Sequence, residues 1–196
     1  QVGPVLQRLS LNLPKPQAII VMSAHWESNS LEVSTSVRAE TWHDFRGFPA
    51  ELYDIRYPAP GQPELAEEIL HLLADAGLAA HANSTRPRDH GVWMPLLHMY
   101  PDANIPVVEI SLPMNWPAED IYKIGQTLAP LREKQVFIIG SGSITHNLAE
   151  LAWHGEPTEV PVWASSFRNY VVSKLAHQNY DAVLDWQTIP YAKRNH

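Results

Sequence analysis

The stretch Gln135–Leu148, QVFIIGSGSITHNL, carries the clearest fold signal in the chain. Its first part, Gln135–Ile139, is a short run of β-branched and aromatic residues. This run predicts a buried parallel strand, because both of its alternating faces are apolar. The small residues that follow predict a tight turn, which places His146 just beyond the carboxyl end of the strand, where open α/β sheets bind their ligands. The turn also fits a purely structural role, in which Thr145 or Asn147 caps the next helix.

The rest of the chain alternates between strand and helix patterns. Apolar runs predict further strands at 17–23 and 105–112, and the alternating segment 31–35 predicts a half-exposed strand. Helices are predicted where apolar residues recur with a helical period, at 5–13, 63–76, 94–99, 118–131, 147–153 and 163–176. This alternation predicts an α/β fold, with a mostly parallel central sheet and helices on both faces, as a single domain over residues 1–196.

Composition excludes several classes of function. The net charge of −7 offers no basic surface for nucleic acid or an anionic membrane. The sequence has no cysteine, which excludes disulfides, thiolate metal sites and cysteine nucleophiles. Its apolar runs are shorter than the roughly 18–20 residues that span a bilayer, and its first residues lack the order of a signal peptide. We therefore expect a cytoplasmic protein with a small-molecule partner; the sequence does not predict its oligomeric state.

Four of the ten histidines, His25, His43, His90 and His146, lie in predicted loops at or near strand ends. Each of them alone is more often a hydrogen-bonded structural residue than a ligand, and no local H-x-x-x-H spacing marks a metal site. A parallel sheet, however, gathers its strand-end loops on one edge. Imidazoles that share a pocket without cysteine favour iron, zinc or manganese. The acidic neighbours Asp44 and Asp89 are suited to orient such imidazoles.

Five motifs occur in an order that resembles a known family. They are Ser23–Trp26 (SAHW), His43–Pro49 (HDFRGFP), Tyr57–Gly61 (YPAPG), Asp89–Trp93 (DHGVW) and Gly140–Leu148 (GSGSITHNL). Together they resemble the class III extradiol ring-cleavage dioxygenases, in particular the 4,5-DOPA dioxygenase branch. The resemblance implies an α/β enzyme that opens the ring of a catechol-type aromatic with O₂ and a non-haem metal. That metal is normally Fe(II), with Zn(II) found in some relatives.

The resemblance also implies roles for individual residues. His43 matches a metal ligand, and His146 matches the acid/base histidine beside the metal. His90 matches a second catalytic histidine that contacts substrate or oxygen. The residues expected to line the substrate site are His25, Phe45 and Trp93.

Two features of the family are missing from this sequence. It has no Gly-His-Gly-type turn near its beginning and no His-aromatic-Leu-Pro stretch near its end. Each of these carries a further metal ligand in the family, so we expect the full protein to have segments beyond both ends of the chain. Two alternatives stay open: a non-enzymatic binding protein on the same scaffold, and a zinc-dependent hydrolase. A serine hydrolase is disfavoured, because Gly140–Ser143 lacks the G-x-S-x-G spacing.

Overall fold

The computed structural model describes residues 2–151 and 159–195. It divides the chain into two compact units, residues 1–142 and residues 143–196. The strands of the sheet and four of the helices belong to the first unit. Further helices form the second unit.

The first unit is built on a sheet of five strands within the described residues. They are β1 (Ala18–Ser28), β2 (Leu31–Ser34), β3 (Ala80–Asn83), β4 (Val107–Pro113) and β5 (Val136–Ser141), in the order β3-β2-β4-β1-β5. The pairs β1–β4, β1–β5 and β2–β3 are parallel, and β2–β4 is antiparallel. The sheet is therefore mostly parallel, as predicted.

Helices cover both faces of this sheet, which confirms the predicted α/β class. The helices of the unit are α1 (Gly3–Leu11), α2 (Pro63–Asp75), α3 (His90–Met99) and α4 (Ala118–Leu128). One core packs Ile20 of β1 against α2 and α4, and the other packs Ile19 of β1 against α3. Neighbouring residues of one strand thus enter opposite cores, since successive side chains point to opposite faces. That is why the central strands are apolar at nearly every position.

Several boundaries differ from the prediction, and two of the differences affect the candidate site. Strand β1 continues to Ser28, so His25 lies on the strand and not beyond it. The pairing of β1 with β4 slips between Met22 and Glu27, which partner Ile110 and Leu112. The ladder between β1 and β4 is therefore irregular at His25. Helix α3 begins at His90, four residues before the predicted start, so His90 lies at a helix N-terminus.

The remaining differences lie further from the site. Strand β3 was not predicted, because it is only four residues long and has no fully buried residue. The predicted helix 118–131 ends as α4 at Leu128 and continues as a 3-10 helix, Ala129–Lys134, because Pro130 cannot donate a helical hydrogen bond. The predicted helix 147–153 is a 3-10 turn, Leu148–Glu150, and Trp153 lies outside the described residues.

The second unit contains helices α5 (Val162–Ala176), α6 (Asp181–Leu184) and α7 (Ala192–Asn195). Phe167 and Val171 of α5 pack against Ile189 and Ala192. Among the described residues, no helix of either unit is both long and apolar enough to cross a membrane.

The first unit also buries the side chain of Arg88 against that of Glu109 of β4. Both residues are 1% exposed, and Nε of Arg88 lies 3.4 Å from Oε1 of Glu109. Oε2 of Glu109 has no hydrogen-bond partner. Burial raises the pKa of Glu109 to about 8, and the cation of Arg88 only partly opposes that rise. Burial likewise lowers the pKa of Arg88, but an arginine stays protonated in proteins.

The raised pKa of Glu109 predicts a pH dependence of stability. Between about pH 4.5 and about pH 8 the unfolded chain has lost the Glu109 proton while the folded chain retains it. The free energy of unfolding should therefore fall as pH rises through this window, by up to about 1.4 kcal/mol per pH unit from this one group. Glu109→Gln should remove that slope, whereas the exposed Glu133→Gln should keep it. Denaturant unfolding at several pH values measures both, and a Glu109→Gln curve parallel to wild type would contradict the assignment.

Candidate active site

The carboxyl end of β1 and the first turn of α3 approach each other closely at Gly91. A Cβ added at Gly91 would lie 2.4 Å from Oγ of Ser23 and 3.2 Å from Cδ2 of His25. The Ser141 hydroxyl at the end of β5 donates to the carbonyl of Gly91. Only a glycine permits this approach, and it brings the rings of His25 and His90 to a centroid distance of 4.1 Å.

The carboxylate of Asp44 binds both of these imidazoles. Its Oδ1 accepts the backbone N–H of His90 at 2.9 Å and lies 2.8 Å from Nδ1 of the same residue. Its Oδ2 lies 3.3 Å from Nδ1 of His25. Three segments that are distant in sequence therefore meet at one carboxylate, and the expectation that Asp44 orients imidazoles agrees with these contacts.

This arrangement determines which nitrogen of each imidazole faces Asp44. A carboxylate only accepts hydrogen bonds, so each Nδ1 carries the hydrogen and each Nε2 keeps its lone pair. Burial by itself raises the pKa of Asp44, but the hydrogen bonds from the backbone and ring of His90 outweigh it and leave this pKa below its usual value. Asp44 is therefore ionised at neutral pH, and two Nε2 atoms remain for a ligand.

Asp89 has a different environment from Asp44. It is completely buried, accepts the Ser23 hydroxyl at 2.7 Å and forms an ion pair with Arg86 at 3.0 Å. Ser23 in turn accepts the backbone N–H of His25 at 3.2 Å. Through Ser23, Asp89 thus holds the backbone of the segment that contains His25. The sequence had predicted that Asp89 orients an imidazole directly.

His43 lies beside this group in an aromatic environment. Its Nε2 lies 3.0 Å from the carbonyl oxygen of Ile55, which can only accept, so Nδ1 keeps the lone pair. Its ring centroid lies 5.4 Å from that of Trp93 and 5.8 Å from that of Phe45. Trp93 is completely buried, and its indole N–H donates to the carbonyl of Trp42 at 2.9 Å. Phe45 also contacts His90, at 5.5 Å between ring centroids.

His146 lies in the second unit. Its backbone N–H donates to the carbonyl of Asn195 at 2.8 Å. The side chain of Asn147 accepts the backbone N–H of Ala149 at 3.1 Å and so caps the 3-10 turn. This is the structural role that the sequence also offered for Asn147. The catalytic role of His146 stays a prediction.

Among the described residues, one group of three potential metal ligands comes together. His25, Asp44 and His90 each offer a donor atom, and these atoms lie within 4.8 Å of one another. Two imidazoles with one carboxylate form the donor set of many non-haem Fe(II) sites. His43 is not a member of this group, and its role as a ligand stays a prediction.

Comparison with known proteins identifies the family. Residues 4–196 match the profile of the catalytic LigB subunit of aromatic ring-opening dioxygenase. The chain belongs to the LigB family. This confirms the resemblance found in the sequence motifs. LigB-family dioxygenases are metal-dependent, and the His-Asp-His donor set is chemically suited to a divalent ion.

The LigB-family relatives include enzymes named for one catechol. The chain is 42% identical over 172 residues to the 4,5-DOPA dioxygenase extradiol of Escherichia coli K12, covering 88% of this chain and 63% of that protein. It is 43% identical over 178 residues to the enzyme of the same name from Beta vulgaris, covering 89% and 65%. The chain therefore spans just under two thirds of the length of these relatives.

A solved structure supports the LigB-family fold. The crystal structure of an uncharacterized protein, JW3007, from Escherichia coli K12 matches with a TM-score of 0.75 and 38% sequence identity. The match covers 89% of this chain and 66% of that one. The α/β architecture is thus shared with an experimentally determined relative.

Two residues that position this candidate site, Ser23 and Arg86, were not among the predicted site residues. Ser23 lies in the SAHW motif, so its place in that motif was an available signal. Arg86 lies outside every motif, and apart from Asp89 its partners come from distant parts of the chain.

The contact at Gly91 predicts a large effect of one added methyl group. Gly91→Ala should destabilise the protein by about 1–3 kcal/mol, because the new Cβ overlaps Oγ of Ser23 and the two segments must separate. Gly125→Ala in α4 is the matched control. Nothing lies within 4 Å of the new Cβ there, so the alanine should stabilise the helix by about 0.5–1 kcal/mol. Denaturant unfolding measures both, and a fully stable Gly91→Ala protein would refute the close approach.

Proposed function

We propose that the protein is a metal-dependent extradiol dioxygenase that opens the ring of a catechol-type aromatic with O₂. The observation that carries this proposal is the match of residues 4–196 to a ring-opening dioxygenase family. The relatives named 4,5-DOPA dioxygenase point to a catechol as the substrate class. Fe(II) is the proposed metal and Zn(II) the second choice, since both accept imidazole and carboxylate ligands.

The proposed ligand from the sequence is His43, whose Nδ1 lone pair is available to an ion. When bound, the metal would supply a Lewis acid that binds the catechol oxygens and O₂ together. The group His25, Asp44 and His90 offers a second arrangement, in which these three residues hold the ion themselves. The two arrangements differ in which substitution removes the metal.

The protein's own groups would bind the substrate and move its protons. Asp44 holds the Nδ1–H of both His90 and His25, so each ring presents Nε2 to a substrate oxygen. Nε2 of His90 would accept a hydrogen bond from a catechol hydroxyl. We propose His146 as the general base that removes the catechol proton and later returns it. Phe45 would form part of the apolar wall of the substrate site, and the buried ring of Trp93 would support it from behind, at 6.2 Å between ring centroids.

The proposal extends to partners and location. The acidic net charge of −7 supports a protein that binds neither nucleic acid nor an anionic membrane. We propose a cytoplasmic enzyme whose partners are a small aromatic diol and O₂.

Oxygen uptake tests the function directly. The complete polypeptide, reconstituted anaerobically with Fe(II), should consume O₂ with at least one member of a catechol panel and form a ring-opened product. A parallel sample loaded with Zn(II), an ion without redox chemistry, tests whether a redox-active metal is required. A chelator should abolish the uptake. Metal binding without uptake for any catechol would favour the binding-protein alternative. Hydrolytic activity that persists without oxygen would favour the zinc hydrolase.

His146→Ala should lower ring-opening turnover about 10²–10⁴-fold, the usual contribution of a positioned acid/base group. The bound metal should stay close to its wild-type amount, because His146 is proposed to act on substrate protons. His71→Ala is the control, since His71 is an exposed histidine on α2. Steady-state oxygen consumption and metal analysis provide the two readouts, and unchanged turnover would remove His146 from the mechanism.

Metal analysis separates the two ligand arrangements. His43→Ala should reduce bound metal to a small fraction of the wild-type stoichiometry if His43 is a ligand. Asp44→Ala should then retain most of the metal and lose turnover, because the imidazoles lose their common partner. The reverse result, with metal lost in Asp44→Ala and kept in His43→Ala, would contradict the His43 assignment and favour the His25, Asp44 and His90 group.

A further inference from the structure

Arg86 lies between two tryptophan rings. Its guanidinium carbon is 5.1 Å from the ring centroid of Trp26 and 5.0 Å from that of Trp42. Trp26 is buried, and the side chain of Arg86 is 15% exposed. A cation above the face of an indole is attracted by the ring quadrupole, and the attraction grows when water is excluded. Here two indoles contribute to one cation.

The same guanidinium donates hydrogen bonds to two further groups. One of its terminal nitrogens lies 3.0 Å from the carbonyl oxygen of His25 and 3.0 Å from the carboxylate of Asp89. The side chain of Arg86 therefore contacts two separate segments besides its own. These are the end of β1 with His25 and Trp26, and the loop with Trp42. Its bond to Asp89 also ties it to the residue that precedes α3.

These three segments are the ones that supply the candidate site. Trp26 follows His25, Trp42 lies two residues before Asp44, and Asp89 directly precedes His90. The backbone supports the same arrangement, because the N–H of Trp42 donates to the carbonyl of Arg88 at 2.7 Å. A change in the Arg86 side chain would therefore move all three members of the group relative to one another.

We propose that Arg86 is a positioning residue that sets the separation of His25 and His90 around Asp44. This inference rests on the proposed function, because the spacing of the two imidazoles affects turnover only if the protein opens catechol rings. Arg86 itself does not touch the substrate; it acts through the backbone of His25, the indole of Trp42 and the carboxylate of Asp89. A lysine is not an equivalent replacement, since the planar, weakly hydrated guanidinium covers the faces of both indoles, whereas an ammonium is a compact and strongly hydrated charge.

The first test measures turnover. Arg86→Ala should lower kcat about 10–100-fold, the range seen when a residue that orients active-site groups is lost, with little change in KM. Guanidinium ion at concentrations well below denaturing should restore much of the lost kcat by entering the space between the indoles, and urea at equal concentration should not. Arg132→Ala is the matched control, because Arg132 is exposed and its Nε donates only to a carbonyl of its own 3-10 helix.

The second test does not depend on activity. Nitrogen-15 NMR of the imidazoles in the complete, Zn(II)-loaded polypeptide, assigned with His25→Gln and His90→Gln, reports which ring nitrogen carries hydrogen. Wild type should show a protonated Nδ1 in both residues. Arg86→Ala should show mixed protonation at His25 and His90, and guanidinium should restore the wild-type pattern. Arg86→Lys, which keeps the charge in case the alanine variant fails to fold, should resemble Arg86→Ala.

The outcomes separate the two proposals. Wild-type imidazole signals and wild-type kcat in a folded Arg86→Lys protein would overturn the positioning role. If the wild-type protein opens no catechol ring but the Arg86 variants still change the imidazole signals, the positioning role is supported and the proposed function is overturned.

Discussion

The carboxylate of Asp44 lies between two imidazoles, and the arrangement of the surrounding segments depends on this contact. A partly buried carboxylate is costly unless donors replace its water. Here the backbone and ring of His90 supply that replacement, and the ring of His25 completes it. The pKa of Asp44 falls as a result, since these bonds favour the charged form more than burial opposes it. The carboxylate can therefore hold both rings in one tautomer at neutral pH.

A layer of buried ionisable side chains lies next to this contact. Arg88, Asp89 and Glu109 are each almost inaccessible to water, and Arg86 is mostly covered. Removing an ion from water costs several kcal/mol, and only good geometry offsets the cost; burial accordingly raises the pKa of Glu109 to about 8. The geometry is good around Asp89, which has two donors, and poor around Glu109, which keeps one unpaired oxygen. The core near the site is thus more polar than the helix-covered face around α2, where the buried residues are aliphatic.

Some elements of this structure were predictable from the sequence and others were not. The strands 17–23, 105–112 and 135–139 were predictable because each is apolar on both faces, and burial on both faces requires that composition. Strand β3 was not predictable, because its four residues bury little and are ordered by pairing with β2. The histidines of the motifs were also predictable as candidates. Their grouping was not, since His43 lies against Ile55 and Trp93 while its neighbour Asp44 turns to His90.

The sequence by itself determined the α/β class, the segments that carry the histidines and membership of the LigB family. Each of these depends on local composition, or on motifs that stand in a recognisable order. Only the tertiary structure decided which nitrogen of each ring meets Asp44, why position 91 must be glycine, and what holds Arg86 between two indoles. Those contacts join residues dozens of positions apart, and their geometry is set by the packing of α3 on the sheet, which no local pattern encodes.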